Sequence, residues 1–219
     1  MARTATGTYG GVSAEQRRAE RRRRLLDAAL DVIGTQGWSA TTLRGVCERA
    51  KVGPRFFYES FTDLDALAAA LHDEVLEAAL ARTMAAIDAA PDDLRARTTA
   101  AFRAMISEIT DDPRRARVLW VEAYGSETLV RRRFAAMRRL ARAAVEQSHD
   151  LLDLPPGGDR LLPAVAVLLT GGVTEFVLAW LDGGMDVSRD ELVEISVEFA
   201  LTMGKAIPAM AGRLSGPAG

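Results

Sequence analysis

The chain has 219 residues, of which 48% are hydrophobic and 26% are charged, and these values are typical of a globular protein. They exclude a disulfide-stabilised miniprotein, a chain that is disordered throughout and a polytopic membrane protein. One cysteine, Cys47, and two histidines, His72 and His149, supply neither an intramolecular disulfide nor a zinc-type ligand set. We therefore expect a protein of a reducing cytoplasm with no metal and no cofactor. No apolar segment typical of a secretory signal precedes the arginine cluster.

The charge is divided unevenly along the chain. Residues 1–62 contain eleven Lys or Arg against six Asp or Glu, a net charge of +5, whereas the remainder carries −7 and the whole chain −2. A basic N-terminal region on an acidic body is typical of a protein whose N-terminal part alone meets nucleic acid or an anionic membrane.

The first predicted helix begins at a capping box. Ser13 precedes Gln16 by three residues, and apolar side chains then recur at helical spacing over residues 25–33, ahead of Gly37. Residues 1–12 contain three glycines and few large apolar side chains, so we expect a flexible arm there. The first half of the helix carries six arginines, some of which must face away from any core: Arg17, Arg18, Arg21, Arg22, Arg23 and Arg24.

Two short helices on either side of a three- to four-residue turn are predicted next. We expect Thr41 to cap the first helix, and Pro54 to start the second after a break at Val52 and Gly53. This arrangement is typical of a helix-turn-helix. The core-facing side chains predicted for the two helices are Leu43, Val46, Cys47, Ala50, Phe57 and Phe61.

Long helices are predicted for the remainder of the chain. Thr62 and Asp65 form a second capping box that opens a helix ending at Pro91. Further helices are expected at residues 92–110, 113–124, 127–153, 159–182 and 188–207, the last opened by the box Ser188 to Glu191. Because no segment alternates with the period of a strand, the sequence predicts an all-α protein. The predicted divisions are an arm at 1–12, an N-terminal domain at 13–62 with its helix-turn-helix at about 42–61, and a C-terminal helical domain at 63–219.

The segment Leu161–Leu181 permits a second interpretation, because it approaches the ~20 residues that span a bilayer and has a single charge, Glu175. Inserting that carboxylate would cost about 2.5–3.5 kcal/mol, and Pro163, Gly171 and Gly172 weaken helix continuity. We favour a helix buried in a protein core and an oligomer interface, with no membrane partner.

The stretch from Thr41 to Leu67 is TTLRGVCERAKVGPRFFYESFTDLDAL, and it resembles the helix-turn-helix signature of the tetracycline-repressor (TetR) family of transcriptional regulators. The resemblance covers about residues 20–68, and the rest of the chain is similar only in helix count and length. It implies that three N-terminal helices bind DNA and that the other helices bind a ligand and dimerise. The usual regulator of this family is a cytoplasmic homodimeric repressor released by a small molecule.

The same resemblance implies individual DNA contacts. Thr42 and Arg44 match positions that face the DNA backbone, and the segment 53–59 matches the recognition helix and its cap, where the guanidinium of Arg55 suits guanine O6 and N7. The chain departs from the family at Thr62–Leu64, which lacks the lysine that many members use to hold a phosphate, and arginines of the first helix are the expected compensation. The predicted DNA-binding residues are Arg17, Arg18, Arg21, Arg22, Thr42, Arg44, Lys51, Gly53, Pro54, Arg55, Phe56, Tyr58 and Glu59.

The C-terminal helices offer candidates for a ligand pocket and a dimer interface. Glu122 and Glu175 interrupt apolar runs, so we expect each to pair with an arginine or to line a pocket. Candidate pocket residues are Phe102, Met105, Trp120, Tyr124, Phe134, Met137, Glu175, Phe176 and Trp180. Candidate dimer-interface residues are Leu168, Gly171, Gly172, Val173, Leu192, Ile195 and Phe199.

These patterns predict a regulator that binds an inverted-repeat operator in double-stranded DNA as a homodimer and responds to a small-molecule effector. No nucleophile elbow, phosphate-binding glycine loop or convincing pair of carboxylates indicates an enzyme. Two alternatives remain: a membrane-anchored helical protein, and a helical-bundle carrier or enzyme with an incidental basic arm. Partition into a detergent-free soluble extract tests the first, and salt-sensitive binding to duplex DNA tests the second.

Overall fold

The computed structural model describes residues 13–149, 154 and 158–214, so the predicted arm at 1–12 lies outside the described residues. Within these ranges the chain is helical and contains no β-strand, which confirms the all-α prediction. The α-helices are α1 Ala14–Gln36, α2 Leu43–Ala50, α3 Pro54–Tyr58, α4 Leu64–Ala89, α5 Leu94–Thr110, α6 Pro113–Ala116, α7 Glu127–His149, α8 Gly158–Leu181 and α9 Arg189–Leu214.

Two of the predicted capping boxes are present. At α1 the Gln16 N–H donates to Ser13 Oγ at 3.0 Å, and the Ser13 N–H donates to Gln16 Oε1 at 2.8 Å. At α9 the Glu191 N–H donates to Ser188 Oγ at 3.2 Å, and the Ser188 N–H donates to Glu191 Oε2 at 2.8 Å. Each box satisfies N–H groups that the first helical turn leaves without a partner.

Two other caps lie one residue later than predicted. Thr42 rather than Thr41 caps α2, because its hydroxyl accepts the Gly45 N–H at 3.0 Å whereas the Thr41 hydroxyl donates to the Gly37 carbonyl at 2.8 Å. Asp63 rather than Thr62 caps α4, with its carboxylate accepting the Ala66 N–H at 2.7 Å. A carboxylate is the stronger acceptor at the positive end of a helix.

The prediction of one continuous α-helix over residues 113–124 is wrong. After α6 the backbone forms a π-helical turn over Arg117–Val121 and a 3₁₀ turn over Glu122–Gly125. The cause is a set of contacts with a distant part of the chain. Glu122 binds Arg117 and accepts the Trp38 N–H at 2.8 Å, and a Cβ at Gly125 would lie 2.3 Å from Trp38 Cδ1.

The last helix is longer than the predicted range 188–207. It continues to Leu214 with Pro208 inside it, and Ile207 and Ala211 are buried on either side of that proline. Burial of this apolar stripe offsets the hydrogen bond that proline removes from the helix.

The described residues form two compact units. Unit 1 contains the described part of Met1–Val75 together with Arg114–Arg132, and unit 2 contains Leu76–Pro113 and the described part of Arg133–Gly219. The sequence-based division at residue 62 differs from these units, because it assigned the segment Arg114–Arg132 to the C-terminal domain rather than to the N-terminal helices. The fully buried core of unit 1 includes Leu25, Leu26, Ile33, Phe57, Leu67, Leu71, Leu119 and Leu129.

In unit 2 the helix α8 is long and apolar enough to cross a membrane by length and composition alone, a test that core helices of soluble proteins also pass. The face formed by Leu162, Val165, Val173 and Val177 is buried within the unit. These side chains therefore belong to a protein core, as favoured from the sequence.

Unit 1 buries one histidine. His72 in α4 is 1% exposed, and burial lowers the pKa of its imidazole, an effect that the nearby Asp73 carboxylate opposes and the Arg132 guanidinium reinforces. In the unfolded chain the imidazole takes up a proton near its ordinary pKa of about 6.5, whereas in the folded protein it stays neutral to lower pH. The contribution of His72 to the free energy of unfolding is therefore fully present above the ordinary pKa of about 6.5 and is lost as the pH falls below it.

We expect His72→Leu to flatten the pH dependence of the free energy of unfolding between about pH 7 and about pH 5, because an apolar side chain takes up no proton. Urea denaturation followed by circular dichroism at several pH values measures this dependence. An equally steep decrease in the variant would assign the effect to other groups.

Candidate nucleic-acid interface

The turn between α2 and α3 is built by Lys51, Val52 and Gly53. Lys51 ends α2 in the left-handed conformation with φ 53°, and Val52 is buried. Gly53 is extended and precedes Pro54, which occupies the first helical position, where its missing N–H breaks no intrahelical bond. The two helices thus form the predicted helix-turn-helix.

Buried aromatic rings hold α3 in place. Phe57 is 0% exposed, and its ring centroid lies 5.9 Å from that of Phe61, which is also buried. Both residues are core side chains, as expected, and neither offers a stacking platform. Because Phe57 faces the core, its neighbours in α3 face outward.

The outward face carries most of the predicted DNA-binding residues. The side chain of Arg44 is 89% exposed beside Glu48, which binds it at 2.8 Å, and Tyr58 is 61% exposed. Thr42 uses its oxygen as the α2 cap, and its hydroxyl retains a proton to donate to a phosphate. The other predicted DNA-binding residues that are exposed on this part of the chain are Lys51, Gly53, Pro54, Arg55, Phe56 and Glu59.

The arginines of α1 do not form one uniform positive surface. Arg21 binds the Glu59 carboxylate at 3.0 Å and lies 4.5 Å from the ring centroid of Phe56, and Arg18 donates to the Glu59 carbonyl. Arg22 lies 4.9 Å from the ring centroid of Phe61. Glu59 is thus an internal partner of α1, a role that its sequence position did not reveal. Arg17 is half-buried and the guanidinium of Arg23 pairs with Asp27 and Glu74.

A carboxylate on α1 connects three segments of unit 1. Asp31 binds Arg49 of α2, and its other oxygen lies 3.4 Å from Arg114 of α6. Beside it, Gly34 allows close approach of Arg114, because a Cβ at Gly34 would lie 2.4 Å from Arg114 Cβ and 2.9 Å from its Cα. No sequence pattern indicated this contact.

Unit 2 contains a cavity of about 360 Å³ between α4, α5, α7, α8 and α9. Phe102 and Met105 lie on its wall. The other seven candidate pocket residues do not line the cavity, because helical spacing alone cannot tell which face of a helix lines a cavity. Trp120 lies in the core of unit 1, and Tyr124 and Phe134 are 65% and 51% exposed. Trp180 donates to the Val187 carbonyl, Glu175 binds Arg133, and Met137 and Phe176 are not among the lining residues. The expected arginine partners of Glu122 and Glu175 are thus Arg117 and Arg133.

The candidate interface residues fall into two groups. Val173 and Leu192 are 4% and 0% exposed and pack inside unit 2, because they lie on the inward faces of α8 and α9. They are therefore not available to a second subunit. Leu168, Ile195 and Phe199 are 71%, 45% and 48% exposed, Gly172 is exposed and Gly171 is half-buried.

Among residues 13–149, 154 and 158–214, no group of three or more His, Cys, Asp or Glu side chains is placed to hold a metal ion. The outward face of the helix-turn-helix includes exposed guanidinium, ammonium, hydroxyl and aromatic groups beside the carboxylates of Glu48 and Glu59. Such a set donates hydrogen bonds to phosphates and base edges.

Comparison with known proteins agrees with this geometry. Residues 25–71 match the family of bacterial regulatory proteins named tetR. The match includes α2, α3, the second half of α1 and the start of α4.

Solved structures extend the similarity of fold to most of the chain. A protein from Syntrophomonas wolfei described as a TetR-family transcriptional regulator is 16% identical, with a TM-score of 0.70 over 85% of this chain and 96% of that one. A TetR-like transcriptional regulator from Rhodococcus sp. RHA1 is 18% identical, with a TM-score of 0.65 over 83% and 93%. The fatty acid degradation regulator FadR from Bacillus halodurans is 13% identical, with a TM-score of 0.64 over 85% and 94%. The chain thus has the fold of TetR-family transcriptional regulators.

We expect Gly34→Ala to lower the free energy of unfolding by about 1–3 kcal/mol, because the added methyl group would overlap the backbone of Arg114. Denaturant unfolding measures the change. Gly212→Ala is the matched control, because a Cβ at this position in α9 meets no atom within 4 Å and we expect stability to stay the same or rise by up to about 1 kcal/mol. Equal effects in the two variants would contradict the close approach at Gly34.

Proposed function

We propose that the protein is a cytoplasmic, homodimeric repressor that binds an inverted-repeat DNA operator and dissociates from it when a small molecule occupies the cavity of unit 2. The observation that carries this proposal is the outward face of the helix-turn-helix, where Arg44, Lys51, Arg55 and Tyr58 surround a short helix fixed by Phe57. Arg55 lies in the proposed recognition helix, and its guanidinium can donate two hydrogen bonds to the O6 and N7 atoms of a guanine.

The charges of α1 support DNA binding at the same surface. Arg18 and Arg21 are attached to Glu59 at the end of α3, so their positive charge lies beside the recognition helix. The Glu59 carboxylate is neutralised by Arg21 and does not repel a phosphate as an isolated carboxylate would. Positive charge next to a recognition helix raises affinity for DNA of every sequence.

The exposed apolar side chains of unit 2 support the proposal of a dimer. Leu168 on α8 and Ile195 and Phe199 on α9 are large, apolar and exposed, and such a surface marks an interface. A twofold dimer presents two recognition helices to major grooves at least one DNA turn apart, ~34–36 Å, which requires an operator with inverted half-sites.

The cavity supports release by an effector and argues against an enzyme. Its wall is mostly apolar and carries no nucleophile paired with a base. Helix α4 contributes residues to unit 1 and to the wall of this cavity, and we propose that it couples the two.

The first test requires an operator, which is recovered by sequencing genomic fragments bound to the purified protein. We expect Arg55→Ala to reduce discrimination between the operator and altered sites by about 1–3 kcal/mol per half-site, because a bidentate base contact is lost. Fluorescence anisotropy with both duplexes measures the difference. Equal losses on all sequences would place Arg55 on the DNA backbone.

Arg22→Ala should behave differently from Arg55→Ala. We expect it to weaken binding to all duplexes alike and to reduce the slope of log affinity against log salt by about 1, because the variant makes one phosphate contact fewer and releases about one counterion fewer on binding. Arg138→Ala, an exposed arginine of unit 2, is the control and should leave both quantities unchanged. A sequence-dependent loss for Arg22→Ala would contradict a backbone role.

We expect Phe199→Asp to yield folded monomers with strongly reduced operator affinity, because a carboxylate in an apolar interface loses its hydration. Light scattering measures the mass, and circular dichroism checks the fold. Phe134→Asp makes the same change at an exposed position of α7 and should remain dimeric. A dimeric Phe199→Asp variant would move the interface away from α9.

A further inference from the structure

The cavity of unit 2 has polar groups at one end. The buried cluster of Leu162, Val165 and Ile207 has Val145 packed against it, which brings the end of α7, the start of α8 and the later part of α9 together. Three polar residues that line the cavity lie within three positions of these cluster residues along the chain: Gln147 and Ser148 follow Val145 in α7, and Lys205 precedes Ile207 in α9.

Arg97 joins this end from α5. Two ion pairs, Arg95 with Glu198 and Arg189 with Asp111, show that α5 and α9 run antiparallel, so the start of α5 lies toward the later part of α9. Arg97 lies in the first turn of α5 and lines the cavity. Arg97, near the start of α5, and Lys205, an exposed residue in the later part of α9, are thus the two cationic residues that line the cavity.

The opposite end of the cavity is apolar. Phe102 and Met105 of α5, Leu80 of α4, Leu140 of α7 and Val173 of α8 form its wall. Eight residues separate Arg97 from Met105, a distance of about 12 Å along an α-helix. The cavity is thus elongated, with cations toward one end and hydrocarbon toward the other.

The two cations have no carboxylate partner within the cavity lining. Arg97 forms an ion pair at 3.1 Å with Asp92, whose side chain is 83% exposed, and the buried Nε of Arg97 has no hydrogen-bond partner among the described residues. Lys205 forms no ion pair with the described residues. No Asp or Glu is among the residues that line the cavity. Two cations without a lining carboxylate leave a positive charge that an anionic ligand would neutralise.

We propose that this cavity binds an amphipathic monocarboxylate, with the carboxylate near Arg97 and Lys205 and the hydrocarbon tail directed toward Met105. The planar guanidinium of Arg97 suits the two oxygens of a carboxylate, and Gln147 and Ser148 add hydrogen-bond donors. A volume of about 360 Å³ is small for a ligand pocket and favours a compact head group with a tail of medium length. The proposal rests on the proposed function, because it names the chemical class of the effector.

Isothermal titration of the full-length protein with octanoate, 1-octanol and octylammonium tests the head group, since these probes share one tail. We expect octanoate to bind at least about tenfold more tightly than the other two, because only its head group pairs with the cations. Equal affinity for octanol, or tighter binding of octylammonium, would overturn the proposal.

Arg97→Gln identifies the residue responsible. We expect it to reduce octanoate affinity about tenfold or more and to leave octanol binding unchanged. Arg95→Gln removes a guanidinium two residues away that binds Glu194 and Glu198 and does not line the cavity, so octanoate affinity should stay the same. Equal losses in the two variants would contradict a direct role for Arg97.

Ala101→Leu tests the direction of the tail. Ala101 lines the cavity between Arg97 and Met105, so a larger side chain shortens the apolar end. We expect the ratio of decanoate to hexanoate affinity to decrease about tenfold, because the excluded methylene groups lose their burial. An unchanged ratio would place the tail elsewhere and contradict the proposed orientation.

Measuring DNA affinity in the same samples separates this proposal from the proposed function. Octanoate binding that depends on Arg97 but does not change operator affinity would support the ligand class and contradict ligand-controlled release. Operator binding without measurable octanoate binding would overturn the ligand class and leave the DNA-binding function standing.

Discussion

The burial of Phe57 is the constraint on which the candidate DNA-binding surface depends. A helix of five residues is too short to be stable in isolation, so α3 exists because its one inward ring is packed against the other N-terminal helices. Packing also fixes the rotation of α3 about its axis, and that rotation decides which side chains face outward. The orientation of Arg55 is therefore set by an apolar contact in which it takes no part, whereas the ring of Tyr58 itself lies edge-on to that of Phe57, with centroids 5.5 Å apart.

Electrostatics in unit 1 follow from the same packing. The arginine run of α1 suggests a uniform positive surface in the sequence, yet the structure divides it between internal partners and solvent. Arg18 and Arg21 are attached to Glu59, and Arg23 to Asp27 and Glu74, which leaves fewer side chains free to move toward a phosphate. Each attachment lowers the entropy that the side chain would lose on binding DNA. The rigid part of the positive surface is thereby concentrated where α1 meets α3.

The sequence was sufficient for features that depend on neighbours along the chain. The caps at Ser13 and Ser188, the break at Val52–Gly53 and the helical character of unit 2 follow from local hydrogen bonding and from apolar periodicity. Features that depend on distant contacts were not accessible. The irregular turns after α6 arise from Trp38 and Glu122, and no pattern within residues 113–124 contains that information. The cavity shows the same limit: Phe102 and Met105 were recognised as large apolar residues, whereas Arg97 is one arginine among many until the structure places it on the wall.

The burial of Cys47 has a practical consequence. This side chain carries the single thiol of the chain, it is 4% exposed, and burial raises the pKa of the thiol. Because thiolates rather than thiols react with maleimides and iodoacetamides, Cys47 reacts slowly in the folded protein. The native sequence is thus a nearly silent background for site-specific chemistry. A cysteine introduced at an exposed position such as Tyr58 would be labelled selectively, and a fluorophore there would report the environment of α3 without removal of the natural thiol.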